Sequence, residues 1–434
     1  SQAPCRKAPG LGPHDSNHSV PACPPWGASH GGGQRENRLD TYTETLSRSR
    51  PPSLEAAVLR SLGLLFALAP CLQAQCELQK LIDNQPHDYD EFGVDVDIDG
   101  ATAFVGAPGD DAPGNASGSV GVFERSSAWV QVDLLTASDG APFDSFGDAV
   151  ALSGDLAVIG AFGDDDAGSR SGSVYVFERL GGTWGQVAKL TAGDAEAGDY
   201  FGDSVAIAGE VIVVGAPLSE DAGLRTGSAY VFERINGVWT ETAKLLASNL
   251  HAFHYFGGAV ATDATTILIG ATEANSTLSG PGSVYAFERS GASWTETRVL
   301  VPSDGSANDQ FGQSISMSSS RALIGSYQHD DGAALAGSAY VFDNLALGWV
   351  ETAKLVASDP QGFDAFGFDV ALFGDRALVG AFRHDESVQG QPPIGDPPPP
   401  YAGVAYIFEF NGAAWTESAE LVPSDSEHDD RFGY

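Results

Sequence analysis

Carboxylates set side by side in polar loops are what hard divalent cations bind, because Ca²⁺ takes roughly six to eight oxygen ligands from side chains and loop carbonyls. This sequence offers such groups three times over: Asp110-Asp111, Asp164-Asp165-Asp166 and Asp330-Asp331. A fourth set, Asp95, Asp97 and Asp99, alternates within "DVDIDG". Histidines that could ligate a metal or move a proton stand at His87, His251, His254, His329, His384 and His428. His251 and His254, in "SNLHAFHYFG", replace the acidic residues that other copies of this stretch carry, which reads either as a unit-specific binding spot or as loop variation. Motifs for a nucleophile elbow, an HExxH zinc site or a phosphate loop are missing from the chain.

The elements that must position these side chains follow from an internal repeat. Phe-Gly pairs stand at Phe92-Gly93, Phe146-Gly147, Phe201-Gly202, Phe256-Gly257, Phe311-Gly312 and Phe366-Gly367, about 55 residues apart, and once more at Phe432. A Gly-Ala or Gly-Ser pair follows each of the first six at constant distance, at Gly106, Gly160, Gly215, Gly270, Gly325 and Gly380. Each unit also holds one tryptophan: Trp129, Trp184, Trp239, Trp294, Trp349 and Trp415. Apolar residues within a unit alternate or run in short blocks, never at helical spacing. Four strands are expected per unit, in the second "FGDAVAL", "LAVIGA", "GSVYVFER" and "WGQVAKL", the first two joined by a tight glycine turn. Such sheets are apolar on both faces and must be sandwiched between neighbours, which points to an all-β propeller of four-stranded antiparallel blades. A linear solenoid would use shorter units.

Stretches such as "FGVDVDIDGATAFVGAP" and "FGDSVAIAGEVIVVGAP" resemble the FG-GAP repeats of integrin α-subunit propellers, and the short hairpin with "GSVYVFER" is more similar still to bacterial FG-GAP repeat proteins. The resemblance covers residues 78–434 and implies seven blades. Six are complete. The seventh is expected to be split and truncated, since "ELQKLIDNQPHDYDEFG" matches the close of a unit and "RFGY" the opening of one. The resemblance also implies a calcium loop between the first two strands. Only Val94 separates Phe-Gly from Asp95, so Asp95, Asp97 and Asp99 are expected along one side of the first strand and its turn instead. The Phe and Trp residues are expected to pack between blades, and pairs such as Glu178-Arg179 and Glu233-Arg234 to sit exposed at turns.

Strand parity sends the 4–1 and 2–3 loops to one rim of the ring. Those loops carry most of the carboxylates and all six of these histidines, so one face is acidic. Three readings of it stand side by side: a solubilising surface, a Ca²⁺-binding surface built on the aspartates of the 2–3 loops, and a docking face for an extracellular protein or glycan. The net charge of −36 argues against nucleic acid and anionic lipid. A non-catalytic binding or adhesion propeller is the expected function. A hydrolase or lyase using Asp and His of the acidic face is the alternative, and a purely structural module the third.

Residues 1–53 share nothing with the repeat and are expected to be disordered or to lie upstream of the natural start. Residues 54–74, with Arg60 before a short apolar run and small residues after it, have the layout of a secretory signal, and the run is too short to span a bilayer. Cleavage near Ala74 would leave Cys76 alone, so the fold over 75–434 is expected to stand without disulfides at the cell surface or outside the cell.

Overall fold

The computed structural model describes residues 79–87, 89–111, 114–221, 223–272, 280–384, 402–423 and 431–434. The upstream segment, the signal-like run, all four cysteines, His428 and most of the Pro-rich insertion of the sixth unit lie outside the described residues. The described chain is all β, six four-stranded antiparallel sheets each wound in chain order and set in a ring as a β-propeller.

Blade 1 comprises β1 (Val96–Asp99), β2 (Thr102–Ala107), β3 (Ser119–Arg125) and β4 (Trp129–Leu135). Blade 2 comprises β5 (Val150–Ser153), β6 (Leu156–Ala161), β7 (Ser173–Leu180) and β8 (Thr183–Leu190). Blade 3 follows as β9 (Ser204–Ala208), β10 (Val211–Ala216), β11 (Ser228–Ile235) and β12 (Val238–Leu245), and blade 4 as β13 (Val260–Thr262), β14 (Thr266–Ala271), β15 (Ser283–Ser290) and β16 (Ser293–Leu300). Blade 5 holds β17 (Phe311–Ser318), β18 (Arg321–Ser326), β19 (Ser338–Leu345) and β20 (Gly348–Leu355). Blade 6 holds β21 (Val370–Phe373), β22 (Arg376–Ala381), β23 (Val404–Phe410) and β24 (Trp415–Leu421).

The apolar pattern explains the layering. Second strands such as β10, "VIVVGA", are buried along their whole length, because strands flank them in the sheet and blades cover both faces. Outermost strands such as β8 alternate buried and exposed positions, as a half-covered edge requires. All six blades carry the same register shift between strands 3 and 4, in blade 2 between Val176 and Phe177.

Both ends of the repeat motif serve one contact. Phe146 of blade 2 lies in a core with Phe104, Val120 and Val122 of blade 1, and meets Tyr175 and Phe177 at 5.4 and 6.0 Å between ring centroids. Gly147, at φ +94°, turns the chain so that its carbonyl oxygen presses on Gly106, where an added Cβ would lie 1.9 Å from it. Phe-Gly of one blade therefore closes over Gly-Ala of the blade before, and both glycines follow from that approach. The turn also interrupts the first strand: β5 begins at Val150 rather than at Phe146 as the sequence pattern suggested, and β17, which does begin at Phe311, has its register broken between Phe311 and Ile315.

Tryptophans complete the seams. Trp184 meets Phe104 edge-on at 4.9 Å, and Trp129 and Trp349 are buried, while Trp239, Trp294 and Trp415 are half-buried. The Glu-Arg pairs do not project from turns as expected. Each arginine reaches back to the glutamate of the preceding blade: Arg179 to Glu124, Arg234 to Glu178 at 2.9 Å and Arg289 to Glu233 at 2.6 Å, with both partners of the second pair about three-quarters covered. Stacking equivalent strands brings these residues together across the seam, a relation that one unit read alone does not contain.

The flanking segments dock where a neighbouring unit would. The Gln79 amide donates to the Trp129 carbonyl at 2.7 Å and accepts from the Trp129 N–H at 2.9 Å, and Leu81 packs with Phe92. Phe432 and Gly433 take on blade 6 the places that Phe366 and Gly367 take on blade 5. Neither segment forms a strand among the described residues.

Candidate functional site on the acidic loop face

The 2–3 loop and the 4–1 loop of each blade zip together. Phe143, Ser145 and Phe146 donate backbone N–H groups to Asn115, Ala116 and Ser117, and Phe253 and Phe363 repeat the first bond to Leu224 and Ala334. The acidic loops thus share one face, as strand parity requires.

On that face the carboxylates converge on lysines. In blade 2 the Lys189 ammonium lies 2.8, 2.8 and 2.6 Å from Asp139, Asp164 and Asp166, and the Tyr175 hydroxyl donates to Asp164 at 2.9 Å. Blade 3 repeats this with Lys244, Asp194, Asp221 and Tyr230. Blade 5 does so with Lys354 at 2.7 Å from Asp304, 2.6 Å from Asp331 and 3.0 Å from His329 Nε2. Register explains the geometry: tyrosine and lysine are cross-strand partners of strands 3 and 4, as in Tyr175 with Lys189 and Tyr340 with Lys354. Burial works against the charge on Lys189, but bonds to three aspartates and to Tyr175 outweigh it and hold the ammonium above its ordinary range. Asp139 lies below the usual carboxylate range, since hydrogen bonds from Lys189 and Tyr175 exceed the opposing effect of burial. Burial, then the negative Asp164, drives the Tyr175 hydroxyl strongly upward.

The aspartates singled out in the sequence therefore have structural partners. Asp164, Asp166 and Asp331 bind lysine. Asp111 and Asp330 close their own loops by accepting the N–H of Ala116 at 2.9 Å and of Leu335 at 2.7 Å. Asp165 is exposed, its carbonyl accepting from the Gly168 N–H, and Asp110 accepts from the Ser119 hydroxyl. Asp95, Asp97 and Asp99 do lie along one side of β1 and its turn, but their carboxylates do not converge. They accept the N–H groups of Val150, Leu152 and Gly154 at 2.7, 2.8 and 2.7 Å, capping the free inner edge of β5. Three carboxylates each directed at a different amide, on alternate residues of one strand and its turn, do not fit a single calcium ion, and they instead satisfy an edge strand that faces the ring centre. Serines do the same elsewhere: Ser316 and Ser318 cap Leu372 and Gly374.

Three blades depart from the lysine arrangement. Blade 4 has Val299 opposite Tyr285, and there Asn249 and His254 stand where other blades have aspartates, both bonded to the Tyr285 hydroxyl. Lysine and acid have been replaced together, and the rings of His251 and His254 lie tilted against each other at 4.2 Å. In blade 1 His87, Asp90 and Asp110 gather with ligand atoms within 4.8 Å, and burial, with Asp110 adding, pushes Asp90 up to about 6. In blade 6 Glu420 stands opposite Tyr406, in the lysine position, beside Asp359 and His384.

Two features of this face escaped sequence reasoning. Tyr89, Phe143, Phe253 and Phe363 occupy the equivalent position three residues before their Phe-Gly, each at positive φ between 62° and 73°. Tyr89, Phe143 and Phe363 are 89, 64 and 53% exposed. The signal was the recurring aromatic in "DYDEFG", "PFDSFG" and "GFDAFG". The second is a groove of about 600 Å³ where the 2–3 loops of blades 2 and 3 flank a 4–1 loop, lined by Arg170, Tyr200, Glu220 and Arg225, with Arg170 donating to the Tyr200 hydroxyl at 2.7 Å. It brings together two of the few basic residues on an otherwise acidic rim.

No helix among the described residues is long and apolar enough to cross a membrane. No curated protein matches the chain. The FG-GAP repeat model matches six times, over residues 76–123, 129–177, 184–232, 239–287, 294–342 and 349–408. Each match joins the last strand of one blade, or the segment before blade 1, to the first three strands of the next, and together they cover well over half of the sequence. The chain belongs to the FG-GAP repeat family.

Proposed function

We propose that this propeller is a secreted or cell-surface binding module, non-catalytic, whose partner docks on the loop face. The observation that carries the reading is the set of exposed aromatic side chains, Tyr89, Phe143 and Phe363, held at positive φ on one rim. A bulky residue in that conformation costs about 1–3 kcal/mol, and such strain gathers where a surface is used. Exposed aromatics give area to a protein partner and flat faces to sugars, and tyrosine and arginine dominate binding hot spots. The groove of Arg170, Tyr200 and Arg225 supplies donors beside them. The acidic side chains nearby are tied to lysines, tyrosines and loop amides, which suits fixed loops better than acid–base turnover.

The test is equilibrium binding of the full chain to a glycan array and to a displayed peptide library, repeated with Tyr89→Ser, Phe143→Ser and Phe363→Ser combined. Affinity for the selected ligand is expected to fall at least tenfold with Tm unchanged. Undiminished binding by the triple variant, or turnover of a glycoside or polyuronate substrate that Asp359→Asn abolishes, would overturn the reading.

A further inference from the structure

Sister blades supply an internal control for the slot where the carboxylates meet. In blade 5 a cation fills it: Lys354 Nζ sits among Asp304, Asp331 and His329 Nε2, while His329 Nδ1 faces Asp309 at 2.7 Å. Blade 6 keeps the same frame. His384 is 1% exposed, its Nδ1 faces Asp364 at 3.0 Å, and its Nε2 faces Asp359 at 3.8 Å, with the Gln361 amide at 3.3 Å from the same nitrogen. Tyr406 donates to Asp359 at 2.9 Å, as Tyr340 does to Asp304 at 2.8 Å. Among the described residues of the two slots, the side chain opposite the tyrosine is what changes. Register places Glu420 opposite Tyr406 where Lys354 stands opposite Tyr340, and no Lys or Arg occurs between Arg383 and Arg431. Blade 4 shows what happens when the ammonium is lost without replacement: the acids go with it, to Asn249 and His254. Blade 6 lost the ammonium, kept both acids and added a third.

We propose that the blade 6 slot binds a divalent transition-metal ion of the zinc class through His384 Nε2, Asp359 and Glu420, whose ligand atoms lie within 4.8 Å of one another. The donor set decides the class. An imidazole nitrogen with two carboxylates suits zinc and its first-row neighbours, whereas Ca²⁺ takes oxygens alone. Asp364 lies 3.0 Å from Nδ1, on the far side of the ring from the slot, where metal-bound histidines keep an outer-shell carboxylate, and the Gln361 amide at 3.3 Å is what an ion would displace from Nε2. Bond lengths of about 2.0–2.2 Å put ligands about 3.3 Å apart on a tetrahedral ion. The half-exposed Asp359 carboxylate has room for that closure. The inference does not rest on the binding role of the loop face, since the isolated chain tests it.

The experiment is Zn²⁺ titration of the full chain after chelator treatment, by competition with a chromophoric chelator, in millimolar Mg²⁺ to occupy diffuse acidic sites. Wild type is expected to bind one equivalent tightly, with a rise in Tm. Glu420→Gln and Glu420→Lys are expected to weaken that equivalent at least tenfold, the latter by restoring the ammonium of blades 2, 3 and 5. Lys354→Glu is expected to add a second equivalent in blade 5. Stoichiometry and affinity unchanged in Glu420→Gln, or no tight equivalent in wild type, would overturn the proposal. A His384 that titrates as a permanently protonated imidazolium, filling the slot itself, would do so too.

Discussion

Lys354 shows how a single side chain decides what an acidic loop cluster is. Its ammonium is about one-fifth exposed and touches Asp304, Asp331 and His329, so removing it leaves carboxylates packed against one another. Lys354→Met is expected to cost about 1–3 kcal/mol, between an exposed and a fully buried pair, read as a lower urea midpoint. Asp90 is the opposite case. Its pKa rises from 3.8 to about 6 in the fold, mainly through burial. A carboxylate raised in the folded state favours folding while protonated, and that contribution is lost as pH climbs from 3.8 to about 6. Asp90→Asn, neutral throughout, is therefore expected to have a higher Tm than wild type at pH 7 and nearly the same Tm near pH 4. Equal Tm values at both pH values would contradict the buried, acid-crowded setting of this group.

At the level of the strand and its turns, glycines at the two ends of the motif have different tasks from those in the hairpins. Gly160 of β6 has no room, because an added Cβ would lie 2.0 Å from the Gly202 carbonyl oxygen of the next blade. Gly154, in the β5–β6 turn, has φ +62° and open space around it. Gly160→Ala is expected to cost about 3 kcal/mol by forcing two blades apart, and Gly154→Ala only about 1 kcal/mol for its left-handed backbone. Chemical denaturation followed by tryptophan fluorescence compares them. Equal losses would mean that the Phe-Gly to Gly-Ala contact is not the seam of the ring.

Across the molecule the chain carries a net charge of −36, and the described acidic loops share one rim of the propeller. Lysines neutralise the loop clusters of blades 2, 3 and 5 locally, and the remaining carboxylates repel. Screening should therefore stabilise the protein: Tm is expected to rise as NaCl goes from 10 to 300 mM, while the Debye length shrinks from about 30 Å to about 6 Å. A falling Tm would mean that the lysine hubs and the Glu-Arg seam outweigh net repulsion.

The six complete blades, their strand order and the gathering of acidic loops on one rim were legible in the chain, whereas the implied seventh blade is represented among the described residues only by segments that form no strand. The legible features follow from spacing and alternation, which a repeat writes six times over. Asp164 and Asp330 could be found the same way, as loop residues of fixed phase. Their partners could not. Lys189 and Tyr175 belong to strands 3 and 4, and they reach the loop only once register sets them side by side. Arg179 meets Glu124, and Asp95 meets Val150, only when blades stack. Charge pairing and metal geometry depend on distances of a few ångströms between units some 55 residues apart, and sequence period fixes phase but not distance. Folding alone shows that lysines of blades 2, 3 and 5 stand among the loop aspartates, and that Glu420 takes the lysine position in blade 6.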